Sequence, residues 1–106
     1  MRINNTSLEH VSIADLVAAQ VSGEATAVQI VEGYLARIAA FDQDGPALNA
    51  VVSVAADARA QAERLDQALA DTDQVVGPLH GVPVVVKDNI DTADLPTSYG
   101  SAPFAD

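Results

Sequence analysis

The feature that most constrains what this chain can fold into is the run Val82-Pro83-Val84-Val85-Val86-Lys87. It is entered through Gly77-Pro78-Leu79-His80-Gly81 and left through Asp88-Asn89-Ile90. The side-chain period of two in a β-strand puts Pro83, Val85 and Lys87 on one face and Val82, Val84 and Val86 on the other. Both faces are apolar, which suits a strand covered on both sides, as in a sheet flanked by helices. The run ends on the only lysine of the sequence, since Arg2, Arg37, Arg59 and Arg64 supply the other basic side chains. An ammonium in that place either snorkels to water or is held for chemistry.

The segments upstream read as helices. Ser12 stands as N-cap with Asp15 three residues on, Ile13, Leu16, Val17 and Val21 recur at helical spacing, and Gly23 is placed to end the helix in a left-handed cap. Thr26-Ala27-Val28-Gln29 matches a capping box, and the helix it opens carries Val31, Tyr34, Leu35 and Ile38 on one face before Asp42-Gln43-Asp44-Gly45-Pro46 breaks it. Residues 12–41 therefore read as a helical hairpin. The β-branched stretch at residues 48–54 reads as a strand. Residues 55–70 read as a surface helix with Ala58, Ala62, Leu65 and Leu69 on a narrow inner stripe and Asp57, Arg59, Glu63, Arg64 and Asp66 around it. Four of the five prolines lie from Pro78 onward, where long helices give way to extended chain and turns.

Composition narrows the function classes. The 106 residues are 49% apolar, enough for a core, but aromatics make up only 4%, so that core is built of Val, Ala, Leu and Ile. Fifteen acidic against five basic residues give a net charge of -10, which argues against nucleic-acid phosphate or an anionic membrane as a direct partner. The absence of cysteine removes thiolate catalysis, disulfides and cysteine zinc sites. No apolar run approaches the ~18 residues of a membrane span, and the first nine residues lack the apolar region of a secretory signal. The expectation is a soluble, cytoplasmic protein.

Most chemical constellations fail on spacing. His10 and His80 are the only histidines and lie far apart, and Asp88, Asp91 and Asp94 lack the glycine and spacing of a calcium loop. No metal or other cofactor is expected. Glycine-rich phosphate loops and the G-x-S-x-G elbow do not occur. Ser98 and Ser101 sit in a turn-rich run where serine is common. His80 reads as a packed or surface turn residue. Lys87 is left as the candidate catalytic side chain, because desolvation at the end of an apolar strand favours the neutral amine, which can act as a base.

At these residues the sequence resembles the amidase signature family of amide hydrolases. The similarity rests on GPLHGVPVVVKDNIDT, residues 77–92, followed by LPTSYGS. It extends more loosely back through SIADLVAAQVSGEATAVQIVEGYLARI and ALNAVVSV to cover nearly the whole chain. The resemblance implies an α/β fold, a mixed sheet covered by helices, of which residues 1–106 are an N-terminal portion that is incomplete by itself. A small α+β domain with a loose tail is the alternative. In the family motif G-[VI]-P-x-x-x-K-D the lysine belongs to a Ser-cisSer-Lys triad, and Lys87 occupies its position. Both serines and the oxyanion loop belong to a Gly/Ser-rich signature expected beyond Asp106, which Ser98 and Ser101 do not match. The implied function is amide hydrolysis on a small-molecule amide, with the 106-residue chain inactive alone. Two alternatives are the amidase subunit of a tRNA-dependent amidotransferase, with the tRNA held by a partner subunit, and a non-catalytic module. In the second, the hairpin at residues 12–41 would pack on a partner or form a homodimer.

Overall fold

In the computed structural model of this chain, which describes residues 1–93 and 95, helix α1 (Ile13–Ser22) starts at Ser12. The Ser12 side chain accepts a hydrogen bond from the Asp15 backbone N–H, filling one of the donors a helix start leaves open. Gly23 ends the helix at φ 82°, a left-handed conformation that costs glycine nothing because it has no Cβ. Helix α2 (Ala27–Arg37) opens on a complete capping box: Gln29 N–H donates to the Thr26 hydroxyl, and Thr26 N–H donates to the Gln29 side chain. These starts and stops fall where the sequence puts them. The helix then widens into a π-helical segment (Ile38–Gln43), in which Asp44 N–H reaches back to the Ala39 carbonyl.

Helix α3 (Ala58–Thr72) lays its Ala58, Ala62, Leu65 and Leu69 stripe inward, and α2 packs mainly against it rather than against α1. The small side chains of the stripe permit that approach. One carboxylate also joins the two helices. Asp66 of α3 accepts from the backbone N–H groups of Ala27 and Val28, at 2.7 and 3.1 Å, so an anion sits on the positive end of α2. The sequence pattern by itself places Asp66 among the solvated residues of its helix.

The core gathers Ile3, Leu8, Leu16, Ala19, Ala25 and Ile30, with Val11, Tyr34 and Val82 packed against it. On α1 the buried face is Leu16, Ala19 and Gln20, while Ile13 and Val21 of the expected stripe are exposed. Ile3 reaches the core from a hairpin of β1 (Arg2–Ile3) and β2 (Thr6–Ser7), paired antiparallel with Arg2 opposite Ser7 and Ile3 opposite Thr6. Its turn is Asn4-Asn5, at φ 51° and 60°. Asparagine tolerates that left-handed region, and two such residues in succession make the turn whose twist suits a two-residue hairpin.

The architecture is α/β with a small sheet, but two segments expected to be strands are not strands. Among the described residues the hairpin is the whole sheet. Residues 48–51 spend their N–H groups on the end of the preceding helix. Leu48 N–H donates to Phe41 O and Asn49 N–H to Asp42 O, and those of Ala50 and Val51 donate to the buried Asp42 carboxylate. Ala47 and Asn49 also stand at φ 50° and 55°, outside the strand region. Residues 82–87 have no ladder partner among the described residues, and Val84 and Val85 are 68% and 83% exposed. A strand exists only where a neighbour meets its donors and acceptors, and β-branched sequence alone does not provide one.

Candidate active site

Lys87 is approached through two overlapping turns. His80 N–H donates to Gly77 O at 3.1 Å and Val82 N–H donates to Leu79 O at 3.0 Å, so residues 77–82 fold back twice before the chain straightens. The His80 side chain is buried, and its Nδ1 accepts from Val76 N–H at 3.0 Å, closing the turn from inside. From α1, Gln20 reaches the same place. Its Nε2 donates to Leu16 O of its own helix and, at 2.8 Å, to the His80 carbonyl. Gly81 stands at φ 69°, and a Cβ there would run into Gln20 Oε1. The second glycine of the GPLHG run is therefore demanded twice, by its backbone conformation and by the carboxamide pressed against it.

Val82 is the last residue of the run to pack on the core; residues 83–87 stand out from it. Lys87 is exposed, and its backbone carbonyl accepts from Ile90 N–H at 3.0 Å, turning the chain at Asp88-Asn89. The side-chain ion pairs among the described residues are Arg37 with Glu9, at 2.9 Å, and Arg59 with Glu32 and Glu63; Lys87 is in neither group. The apolar enclosure expected around the amine is not supplied by the described residues. Beside the turns, Leu65, Val76, Gly77, Pro78, Leu79 and His80 line an open apolar depression.

Of the other sequence candidates, His10 does not join this place and is exposed near the amino-terminal hairpin. Asp94, Ser98 and Ser101 lie outside the described residues, and no group of three metal-ligating side chains occurs among the residues described. No helix among them is long and apolar enough to cross a membrane. Sequence reasoning missed Gln20, and no local signal could have found it, because the carbonyl it holds is 60 positions away. What the arrangement offers chemically is one exposed amine on a short tether from a well-fixed turn, open to groups from elsewhere.

The family model described as Amidase matches residues 29–106. Among curated relatives, a glutamyl-tRNA(Gln) amidotransferase subunit of Thermobifida fusca is 41% identical over 91% of this chain and 19% of its own length. The like-named subunit from Streptomyces avermitilis is 37% identical over 95% of this chain and 20% of its own. Among solved structures, the native peptide amidase of Stenotrophomonas maltophilia matches with a TM-score of 0.85 and 38% identity, over 91% of this chain and 20% of that one. The crystal structure of PAM12A matches with a TM-score of 0.86 and 39% identity, over 92% and 20%. The chain spans about a fifth of the length of these relatives. A family model matched over most of its residues, and relatives above 30% identity across nine-tenths of it, establish that the chain belongs to the amidase family.

Proposed function

We propose that this chain is the lysine-bearing, amino-terminal part of an amide hydrolase of the Ser-cisSer-Lys type. Lys87 is its base, and the nucleophile and oxyanion donors are provided by sequence beyond residue 106. The observation that carries the reading is the GVPVVVKD run, which lies within the matched residues and presents its one lysine beyond the glycine-hinged turns. In that reading, neutral Lys87 takes a proton through a serine held by a cis peptide bond, and the nucleophilic serine attacks the amide carbonyl. Backbone N–H groups stabilise the oxyanion, an amine or ammonia leaves, and water releases the acid. Enclosure of the exposed amine by the rest of the enzyme would supply the desolvation that a lysine base needs.

The test is a hybrid in which this chain replaces the matching fifth of the Stenotrophomonas maltophilia peptide amidase. The hybrid should hydrolyse amides, and Lys87→Ala should cut kcat by about 10²–10⁴, the usual range for general-base catalysis. A Lys87→Ala hybrid within a few-fold of its parent would refute the assignment. The 106-residue chain alone should show no turnover. Turnover abolished by Ser101→Ala would overturn that expectation and place a nucleophile inside the chain.

A second reading, the amidase subunit of a tRNA-dependent amidotransferase, is favoured by the names of the curated relatives. Release of ammonia from glutamine that depends on companion subunits and a charged tRNA would support it over hydrolysis of free peptide amides.

A further inference from the structure

Two buried side chains at the turn have more polar capacity than the described structure uses. His80 is 3% exposed and Gln20 is 4% exposed. Because Nδ1 of His80 accepts from Val76 N–H, it carries no proton, so the neutral ring has its hydrogen on Nε2. Gln20 Nε2 spends its hydrogens on Leu16 O and His80 O, which fixes the carboxamide and turns Oε1 towards Gly81. Nε2 of His80 and Oε1 of Gln20 are buried and have no hydrogen-bond partner among the described residues. Buried groups of this kind are costly, and their retention calls for a reason.

We propose that Gln20 and His80 are positioning residues for Lys87, a reading that rests on Lys87 being the base. The physical argument is one of leverage. Lys87 lies five positions beyond Val82, the last to pack on the core, so the tether spans up to about 17 Å. Once the remaining fold holds the run straight, a tilt of about 10° at the turn would move the lysine by about 3 Å, whereas a misplacement of 1 Å in an active site can cost about 10²-fold. The turn is held from two sides, by an imidazole acceptor within it and by a carboxamide donor from α1. The second of these ties the start of the tether to the helix at the centre of the core. Nε2–H and Oε1, one donor and one acceptor, are left for a buried water or a polar group of the remaining fold, which would complete the clamp.

Conservative variants separate the clamp from a merely structural role. His80→Asn puts an acceptor near the place of Nδ1, His80→Gln puts one near the place of Nε2, and Gln20→Met keeps length and loses both polar atoms. In nitrogen-15 NMR of the 106-residue chain, His80 should show the Nε2-protonated tautomer and a through-hydrogen-bond coupling between Val76 N–H and Nδ1. Hydrogen exchange at Val76 should stay within about threefold in His80→Asn and rise about tenfold or more in His80→Gln. In the hybrid enzyme, Gln20→Met and His80→Gln should lower kcat about tenfold or more with KM little changed, and His80→Asn should recover most of it. If Lys87→Ala abolishes activity while Gln20→Met and His80→Gln keep the parental kcat, the positioning role is wrong and the base assignment stands. If Lys87→Ala is active, the base assignment has failed, and the NMR arm still decides whether the clamp exists. The opposite tautomer, with Nδ1 protonated, would overturn it. Should Gln20→Met not fold, the contrast between His80→Asn and His80→Gln carries the decision.

Discussion

Tyr34 shows how one side chain on this scaffold answers to pH. Its hydroxyl donates to the Leu8 carbonyl at 2.9 Å, tying α2 to the loop after the hairpin. Burial raises its pKa above the ordinary 10.0, with Arg37 opposing the shift more weakly. The folded state therefore favours the protonated phenol. That contribution is complete below pH 10 and is lost as pH rises through the raised value, because the phenolate is both desolvated and no longer a donor. Tyr34→Phe should remove this loss, so a plot of stability against pH should fall less steeply above pH 10 than in the parent. At this scale much was legible. Ser12, Gly23 and Thr26 act through neighbours three or four positions away, and their roles could be read directly. The Asn4-Asn5 pair carried an equally local hairpin signal that is easily passed over beside two-residue strands. Gln20 and His80 act across the fold, and nothing adjacent to either betrays it.

At the scale of elements, carboxylates take over where the backbone runs out of partners. Asp66 completes the start of α2, and buried Asp42 accepts the N–H groups of Ala50 and Val51 as the chain leaves the π-helical segment. Hydrogen bonds to charged groups contribute about 1.5–3 kcal/mol, and a buried amide left unpaired costs about as much. Asp66→Ala should therefore lower stability by about 2 kcal/mol and Asp66→Asn by less, read from urea unfolding midpoints at constant slope. A change within about 0.3 kcal/mol for Asp66→Ala would mean that water caps α2 just as well. Helices with their own caps were legible because they carry their instructions within them. Residues 48–54 and 82–87 mislead for the opposite reason: a strand is a relation between segments. In the first of these, the Asp42 carboxylate and left-handed backbone at Asn49, and at Ala47 just before it, take the place of a ladder. Only the spatial partner decides, and the sequence pattern does not name it.

For the whole molecule, the core is thin. Among the described residues, four of the eight buried apolar side chains are Ala19, Ala25, Ala27 and Ala62, and the radius of gyration is 15.0 Å against about 13 Å for a compact domain of this length. Apolar side chains stand exposed along the described chain instead, Leu48, Val52, Val76 and Val84 among them and Val85 the most of all. The purified chain should bind a hydrophobic dye and self-associate as concentration rises. Val85→Lys should reduce both while shifting stability by no more than about 0.5 kcal/mol, as for other exposed positions. A marked loss of stability would show that Val85 is covered in solution. The structure also dictates an order of assembly. The capping box of α2 closes within four residues, but the Asp66 carboxylate that finishes the same helix start comes from 38 and 39 positions later. During synthesis α2 can begin to form as it emerges, yet its amino terminus waits for α3 to be made and docked, at the entropic cost of closing a long loop. The nascent chain thus passes through a stage with one helix half-finished, and the lysine run emerges only after the segment that finishes it.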